Sequence, residues 1–167
     1  MKLNLLFSVL ISLLSFSPAL FGGDKEMLTK ISETYNKISK PFNCKSITAF
    51  TLIKEMAKNK NIIMIDTRED KEQKISMLPK AISMKEFLKN PDIYKNKKII
   101  SYCTIGYRSG KFAEKFKKLN IYNLEGGVLA WSHFKGKFFK GEKETRKVHV
   151  YSKEWNFLNS QYEAVFK

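Results

Sequence analysis

Cys103 heads the run Cys103-Thr104-Ile105-Gly106-Tyr107-Arg108-Ser109. The stretch before it, Ile99-Ile100-Ser101-Tyr102, is mostly apolar, and the stretch after it, Lys111-Phe112-Ala113-Glu114-Lys115-Phe116, is amphipathic. That order reads as a buried strand, a tight loop and the start of a helix. A sulfur at such a junction faces unpaired backbone N–H groups and the positive end of a helix dipole, and both favour negative charge on it. Gly106 lets the loop curl, and Arg108 adds a fixed positive charge. The loop is suited to hold a nucleophilic sulfur and an anion together. A lone cysteine is more often a small buried hydrophobe. The strand–Cys–Gly–Arg–Ser–helix context sets this one apart.

The elements around the loop follow an alternating pattern. Asp24 to Lys40 carries Met27, Leu28, Ile31, Tyr35 and Ile38 at helical spacing and stops at Pro41. From Cys44 strands and helices take turns. Cys44 to Ile47 is a short strand, and Thr48 caps a helix with Phe50, Ile53, Met56 and Ala57 on one side. Asn61 to Ile65 is an apolar run ending in Asp66-Thr67-Arg68-Glu69. Ala81 to Ser83 is a brief strand, and Met84 to Leu88 a short helix closed by Asn90-Pro91. The Ile99–Cys103 strand precedes a Ser109–Leu119 helix. A strand at Ile121–Leu124 then turns through Gly126-Gly127 into a helix with Val128, Leu129 and Trp131. Solid apolar strands separated by helices predict an α/β fold with a mostly parallel sheet covered on both faces. Its active site belongs beyond the carboxyl ends of the strands, where Asp66, Arg68 and Cys103 fall. The tail from Lys140 onward is rich in aromatic anchors, Trp155, Phe157 and Tyr162 among them, and is expected to fold back over the domain.

Composition bounds the partners. The 167 residues hold 43% hydrophobic and 13% aromatic types, so the chain folds. A total of 31 Lys+Arg against 16 Asp+Glu gives +15, but the charge is spread along the chain without a basic arm or nucleic-acid motif. A solvated basic surface that draws in small anions is the reading, with no nucleic-acid partner. Met1-Lys2, the apolar run Leu3 to Phe16, and Ser17-Pro18-Ala19 resemble a signal peptide cleaved after Ala19, with an uncleaved anchor as the rival. The globular part is thus expected to be exported to the periplasm, and to sit at a membrane only if the leader stays uncleaved. Two cysteines, Cys44 and Cys103, permit one bridge, but Cys44 opens the first strand and Cys103 caps a central one, so an unpaired, buried Cys44 is expected in place of a structural staple. His133 and His149 have packing or solvated roles in this reading. No metal-spaced cluster and no nucleotide motif is present, so neither a metal nor a cofactor is expected.

The stretch from about Cys44 to Trp131 resembles a single rhodanese domain, the sulfurtransferase fold. Four landmarks carry the resemblance: the strand ending in Asp66-Thr67-Arg68-Glu69, the segment Met77-Leu78-Pro79-Lys80-Ala81, the Cys103 loop, and Leu124-Glu125-Gly126-Gly127-Val128-Leu129-Ala130-Trp131. It implies a three-layer α/β fold with a five-stranded sheet, in a domain spanning 44–136. A leader (1–19), an N-terminal helix and linker (20–43) and a C-terminal extension (137–167) complete the chain.

The resemblance also implies chemistry. Cys103 would take sulfane sulfur from a donor such as thiosulfate as a persulfide and pass it to cyanide, a small thiol or a protein thiol. Thr104, Ile105, Gly106, Tyr107, Arg108 and Ser109 would form the substrate cradle, with Arg108 holding the anion. Asp66 and Arg68 would be supporting residues. Four residues separate Cys103 from Arg108, the short loop of sulfurtransferases; the longer loop of related phosphatases and arsenate reductases ranks that activity lower. A non-catalytic module that binds a partner through the helix and tail is the other alternative. Thr104 stands where many members carry a basic residue, and Ile105 and Tyr107 make the loop bulkier and more apolar. Met77-Leu78-Pro79-Lys80 likewise departs from the usual His-Ile-Pro-Gly. These departures point away from thiosulfate toward a protein persulfide or polysulfide donor.

Overall fold

The computed structural model describes residues 19–166. The leader assigned to residues 1–19 lies outside the described residues except for Ala19, which opens the first helix. The elements in order are α1 (Ala19–Ser39), β1 (Lys45–Ile47), α2 (Ala49–Lys58), β2 (Ile62–Asp66), α3 (Asp70–Gln73), β3 (Ala81–Ser83) and α4 (Met84–Lys89). There follow β4 (Lys98–Tyr102), α5 (Tyr107–Lys115), β5 (Ile121–Leu124), α6 (Gly127–His133), β6 (Phe138–Lys140), β7 (Lys143–Thr145), β8 (Lys147–His149) and β9 (Glu163–Val165).

Five strands form one sheet in the order β1-β5-β4-β2-β3, every pair parallel. The period of two along each strand divides the core. Met64 and Ile100 face one layer with Leu52, Leu124, Val128 and Leu129, whereas Ile65 and Ile99 face the other with Phe87, Phe112 and Ile121. Helices therefore cover both faces, as continuous apolar strands require. The connection from β2 leads to β3 on one side, and that from β4 leads to β5 on the other. The space between the ends of β2 and β4 is thus the point where the strand order reverses, the natural crevice of such a sheet.

Local signals set several boundaries. Thr48 Oγ1 accepts from Thr51 N at 3.1 Å and opens α2, and Ser83 Oγ accepts from Glu86 N at 3.0 Å to open α4. α2 keeps part of its expected face: Ile53 and Met56 pack against the core with the buried Ala49 and Leu52, whereas Ala57 is exposed and Phe50 lies half-exposed beside the Phe134 ring and Lys54 Nζ. Helix α5 begins at Tyr107, two residues earlier than the sequence pattern indicates, because Gly106 adopts φ 113° and turns the chain into the helix.

Both appended segments pack on the domain. Ile31 and Tyr35 of α1 are buried, and Val148 and Val150 join the main core. After α6 the chain forms the β6–β7 hairpin, and β8 pairs in parallel with β9. His133, its side chain buried, joins the two segments: Nδ1 lies 2.9 Å from Asp24 Oδ1 and Nε2 lies 2.8 Å from the Phe157 carbonyl. Among the described residues, no helix is long and apolar enough to cross a membrane.

Candidate active site

Cys103 follows directly on β4, and its backbone is tied on both sides. The preceding carbonyl, Tyr102 O, accepts from Thr67 N and Thr67 Oγ1, both at 2.9 Å. The carbonyls of Cys103 and Thr104 accept from Val128 N (3.0 Å) and Leu129 N (3.3 Å) in the first turn of α6. Gly127 makes this approach possible, because a Cβ there would stand 2.2 Å from Cys103 O. The sulfur is then held at one place at the crevice.

Gly106 N donates to Cys103 Sγ at 3.1 Å. Ser109 Oγ lies 3.6 Å from the same sulfur but only 2.6 Å from Asn123 Oδ1, so its single proton goes to the amide oxygen. Asn123 Nδ2 in turn donates to Gly106 O at 2.9 Å, which locks the loop to β5. The first turn of α5 leaves N–H groups without intrahelical acceptors beside the sulfur. This is an arrangement for negative charge on Cys103 or on an atom bonded to it. α1 also reaches the loop: the Tyr35 ring sits where a Gly106 Cβ would meet it at 2.6 Å. Burial, with Glu125 nearby, pushes the Tyr35 phenol up to about 12, so it remains a neutral hydroxyl in the wall.

Asp66 and Arg68 lie beneath the loop. Their ion pair is fully buried, with Arg68 Nη2 donating to Asp66 Oδ2 at 2.7 Å and Nε to Oδ1 at 3.0 Å. Tyr102 donates its hydroxyl proton to Asp66 Oδ2 at 2.7 Å and accepts from Leu78 N at 3.1 Å. Burial and the neighbouring Asp66 push the Tyr102 phenol well above its ordinary value. Burial opposes charge on Arg68, but Asp66 more than offsets it and the guanidinium stays charged. These groups brace the residue before Cys103 and do not face the pocket.

Arg108 is placed differently from the expectation of an anion clamp. Its Nη1 donates to Glu72 Oε2 at 2.6 Å and its Nη2 to Glu72 Oε1 at 2.9 Å, a bidentate pair. Burial raises the Glu72 carboxyl, but hydrogen bonds from Arg108 and the Glu69 backbone outweigh it and hold the group below its ordinary value. Thr104 Oγ1 faces Glu72 Oε1 at 3.4 Å, and His149 Nδ1 of β8 lies 3.7 Å from the same oxygen. Glu72 was not legible as a site residue because it sits in a charged stretch, Glu69-Asp70-Lys71-Glu72, that resembles a solvated surface. Only folding buries it.

A cavity of about 380 Å³ opens on Cys103. Its walls are Ile105 and Tyr107 of the loop, Ile38 of α1, and Tyr151 and Trp155 of the C-terminal extension. The sequence-predicted cradle residues thus split: Cys103, Thr104, Ile105, Tyr107 and Arg108 line the cavity, whereas Ser109 is buried behind it. Cys44, on the other side of the sheet, borders a separate cleft with Lys45 and Lys117, and both cysteines are free thiols.

A family model for the rhodanese-like domain matches residues 50–134. The tRNA uridine(34) hydroxylase of Rickettsia akari (strain Hartford) is 34% identical over 89 residues, which cover 46% of this chain and 36% of that protein. The protein of that name from Aster yellows witches'-broom phytoplasma (strain AYWB) is 32% identical over 84 residues, covering 43% of this chain and 27% of the relative. The chain thus spans well under two thirds of these relatives. Among solved structures, a rhodanese-related protein from Thermoplasma volcanium superposes with a TM-score of 0.50 at 26% identity, covering 57% of this chain and 98% of that one. A thiosulfate sulfurtransferase from Pseudomonas aeruginosa shares the fold at 14% identity, with a TM-score of 0.52 over 72% of this chain and 23% of that one.

Proposed function

Because the chain belongs to the rhodanese-like domain family, we propose that it is a sulfurtransferase in which Cys103 carries sulfane sulfur as a persulfide. The observation that carries this reading is the position of the Cys103 sulfur. It lies at the base of a cavity, 3.1 Å from the Gly106 N–H and beside the start of α5.

In the first step the Cys103 thiolate attacks the terminal sulfur of a donor. A bond forms between Sγ and that sulfur, the donor's S–S bond breaks, and the leaving group departs with the bonding electron pair. For thiosulfate the leaving group is sulfite. In the second step a nucleophile attacks the outer sulfur of the persulfide, and the Cys103 thiolate leaves. Cyanide becomes thiocyanate, and a thiolate becomes a new persulfide. This is two-step nucleophilic catalysis with Cys103 as the nucleophile. The Gly106 amide and the free amides of the first helical turn offset the charge on sulfur throughout. The leader-like N-terminal sequence supports a site of action beyond the cytoplasm.

Intact mass of the reduced protein after exposure to thiosulfate, a thiosulfonate or polysulfide tests the proposal. The expected result is a gain of one sulfur atom on Cys103, lost as thiocyanate on adding cyanide and absent in Cys103→Ser. A protein that gains no sulfur from any of the three donors is not a sulfurtransferase. In that case the cavity is a binding groove on a non-catalytic module.

A further inference from the structure

The cavity over Cys103 has features that a site for a small inorganic dianion would not need. Five of its wall residues, Ile38, Ile105, Tyr107, Tyr151 and Trp155, are apolar or aromatic. Arg108 is the cation on its lining, and both of its terminal nitrogens are engaged by Glu72. Arg108 thus divides its charge between Glu72 and Cys103, which it also faces. A dianion entering here would exchange its hydration for the loop amides and a guanidinium already paired with Glu72, against walls that are otherwise apolar, a poorer exchange than for a singly charged body.

The volume points the same way. An apolar cavity of about 150 Å³ accommodates benzene, and this one is about 380 Å³. It has room for a ring-sized body with its sulfur directed at Cys103.

The aromatic side of the mouth is also held in place at a cost. Tyr151 adopts φ 69°, a left-handed conformation that bulky residues avoid. Its N–H donates to His149 Nδ1 at 3.1 Å, and the residue remains 64% exposed at the cavity. A strained backbone that displays an exposed ring beside a reactive sulfur is better explained by contact with a ligand than by packing. Trp155 is half-buried and packs against the main core, so that wall is fixed before a ligand arrives.

We propose that the sulfur donor is an organic sulfane compound, with a ring-sized apolar body and at most a single negative charge, and that Trp155 and Tyr151 select it. The inference rests on the sulfurtransferase reading and adds the class of substrate. In its simplest form the donor is an arylthiosulfonate or an organic persulfide. For the thiosulfonate, the Cys103 thiolate attacks the sulfane sulfur and the S–S bond breaks. The sulfinate leaves with the electron pair. For the persulfide, the leaving group is the organic thiolate.

The test compares two monoanionic donors that react by the same step, benzenethiosulfonate and methanethiosulfonate, with thiocyanate formation from cyanide as the readout. Wild-type kcat/KM is expected to be at least tenfold higher for the benzene compound, after subtraction of the uncatalysed rates. Trp155→Ala and Tyr151→Ala are each expected to bring that ratio down toward one. The ratio is insensitive to a fraction of unfolded variant, which lowers both rates equally. Turnover of both donors at a wild-type ratio near one overturns the inference and leaves sulfur transfer standing, as does a high ratio that neither variant changes. No thiocyanate from either donor overturns the inference, and sulfur transfer falls with it only where thiosulfate and polysulfide also leave Cys103 without added sulfur.

Discussion

The base of the Cys103 site and its mouth are built from different parts of the chain by different forces. The base consists of Asp66, Arg68, Tyr102 and Thr67, all within the family-matched region, all buried, and joined by hydrogen bonds, those to Asp66 charge-assisted. The mouth takes Ile38 from α1 and Tyr151 and Trp155 from the extension, all three outside that region. It is apolar, partly exposed, and held by packing and one strained turn. The base fixes where the sulfur sits, whereas the mouth controls what can approach it. Under the proposed sulfur transfer, the loop would supply the chemistry, and the segments appended to the domain would supply its selectivity.

The largest expected effect lies in the base. Asp66→Ala leaves the Arg68 guanidinium buried without its carboxylate, and the fold should lose about 3–5 kcal/mol. Urea unfolding measures it. A loss comparable to that of an exposed pair would show that the base is not the rigid half of the site.

Gly106→Ala tests the loop that joins the two halves. It forces a φ of 113° on a residue with a Cβ and drives that atom into the Tyr35 ring. A cost of about 1–3 kcal/mol follows from the backbone alone. Persulfide loading of Cys103 should slow in parallel, because the Gly106 amide is displaced from the sulfur. Unaltered loading would mean that this amide does not support the reacting atom.

The smallest effect belongs to Glu72 and Arg108, at the boundary between base and mouth. The folded Glu72 carboxyl is held below its ordinary value of 4.5. Its contribution to stability is therefore complete above that value and is lost as pH falls through the depressed folded one. In urea unfolding followed from neutral to acid pH, the stability difference between wild type and Glu72→Gln should shrink across that window. A difference that stays constant with pH would place the Glu72–Arg108 pair among contacts that add nothing to folding.

Much of the base was legible before folding was considered. Strands β3 and β5 occur where their apolar residues and flanking turns place them, and Cys103, Asp66 and Arg68 follow the ends of β4 and β2 as expected. Those features depend on local periodicity and on turn chemistry, which neighbouring residues encode directly. Helix faces were less legible: on α2, Ile53 and Met56 reach the core as expected, but Ala49 and Leu52 are the fully buried residues and Phe50 is left half-exposed, a choice made by the sheet beneath. The β6–β7 hairpin and the pairing of β8 with β9 also went unread, since three-residue strands carry too little pattern to identify their partners.

Local sequence dictates the α/β fold, the parallel sheet, and the place of Cys103 at the head of a glycine-containing loop. Each of these follows from residues close together in the chain. Tertiary structure alone decided that Arg108 is engaged by Glu72, which lies 36 residues away in the sequence. It also decided that Asn123 locks the loop and that Tyr151 and Trp155 close over Cys103 together with Ile38. The physical reason is the same in each case. A charge or an aromatic ring has no fixed role until packing determines whether its neighbour is water, a counter-ion or the wall of a cavity.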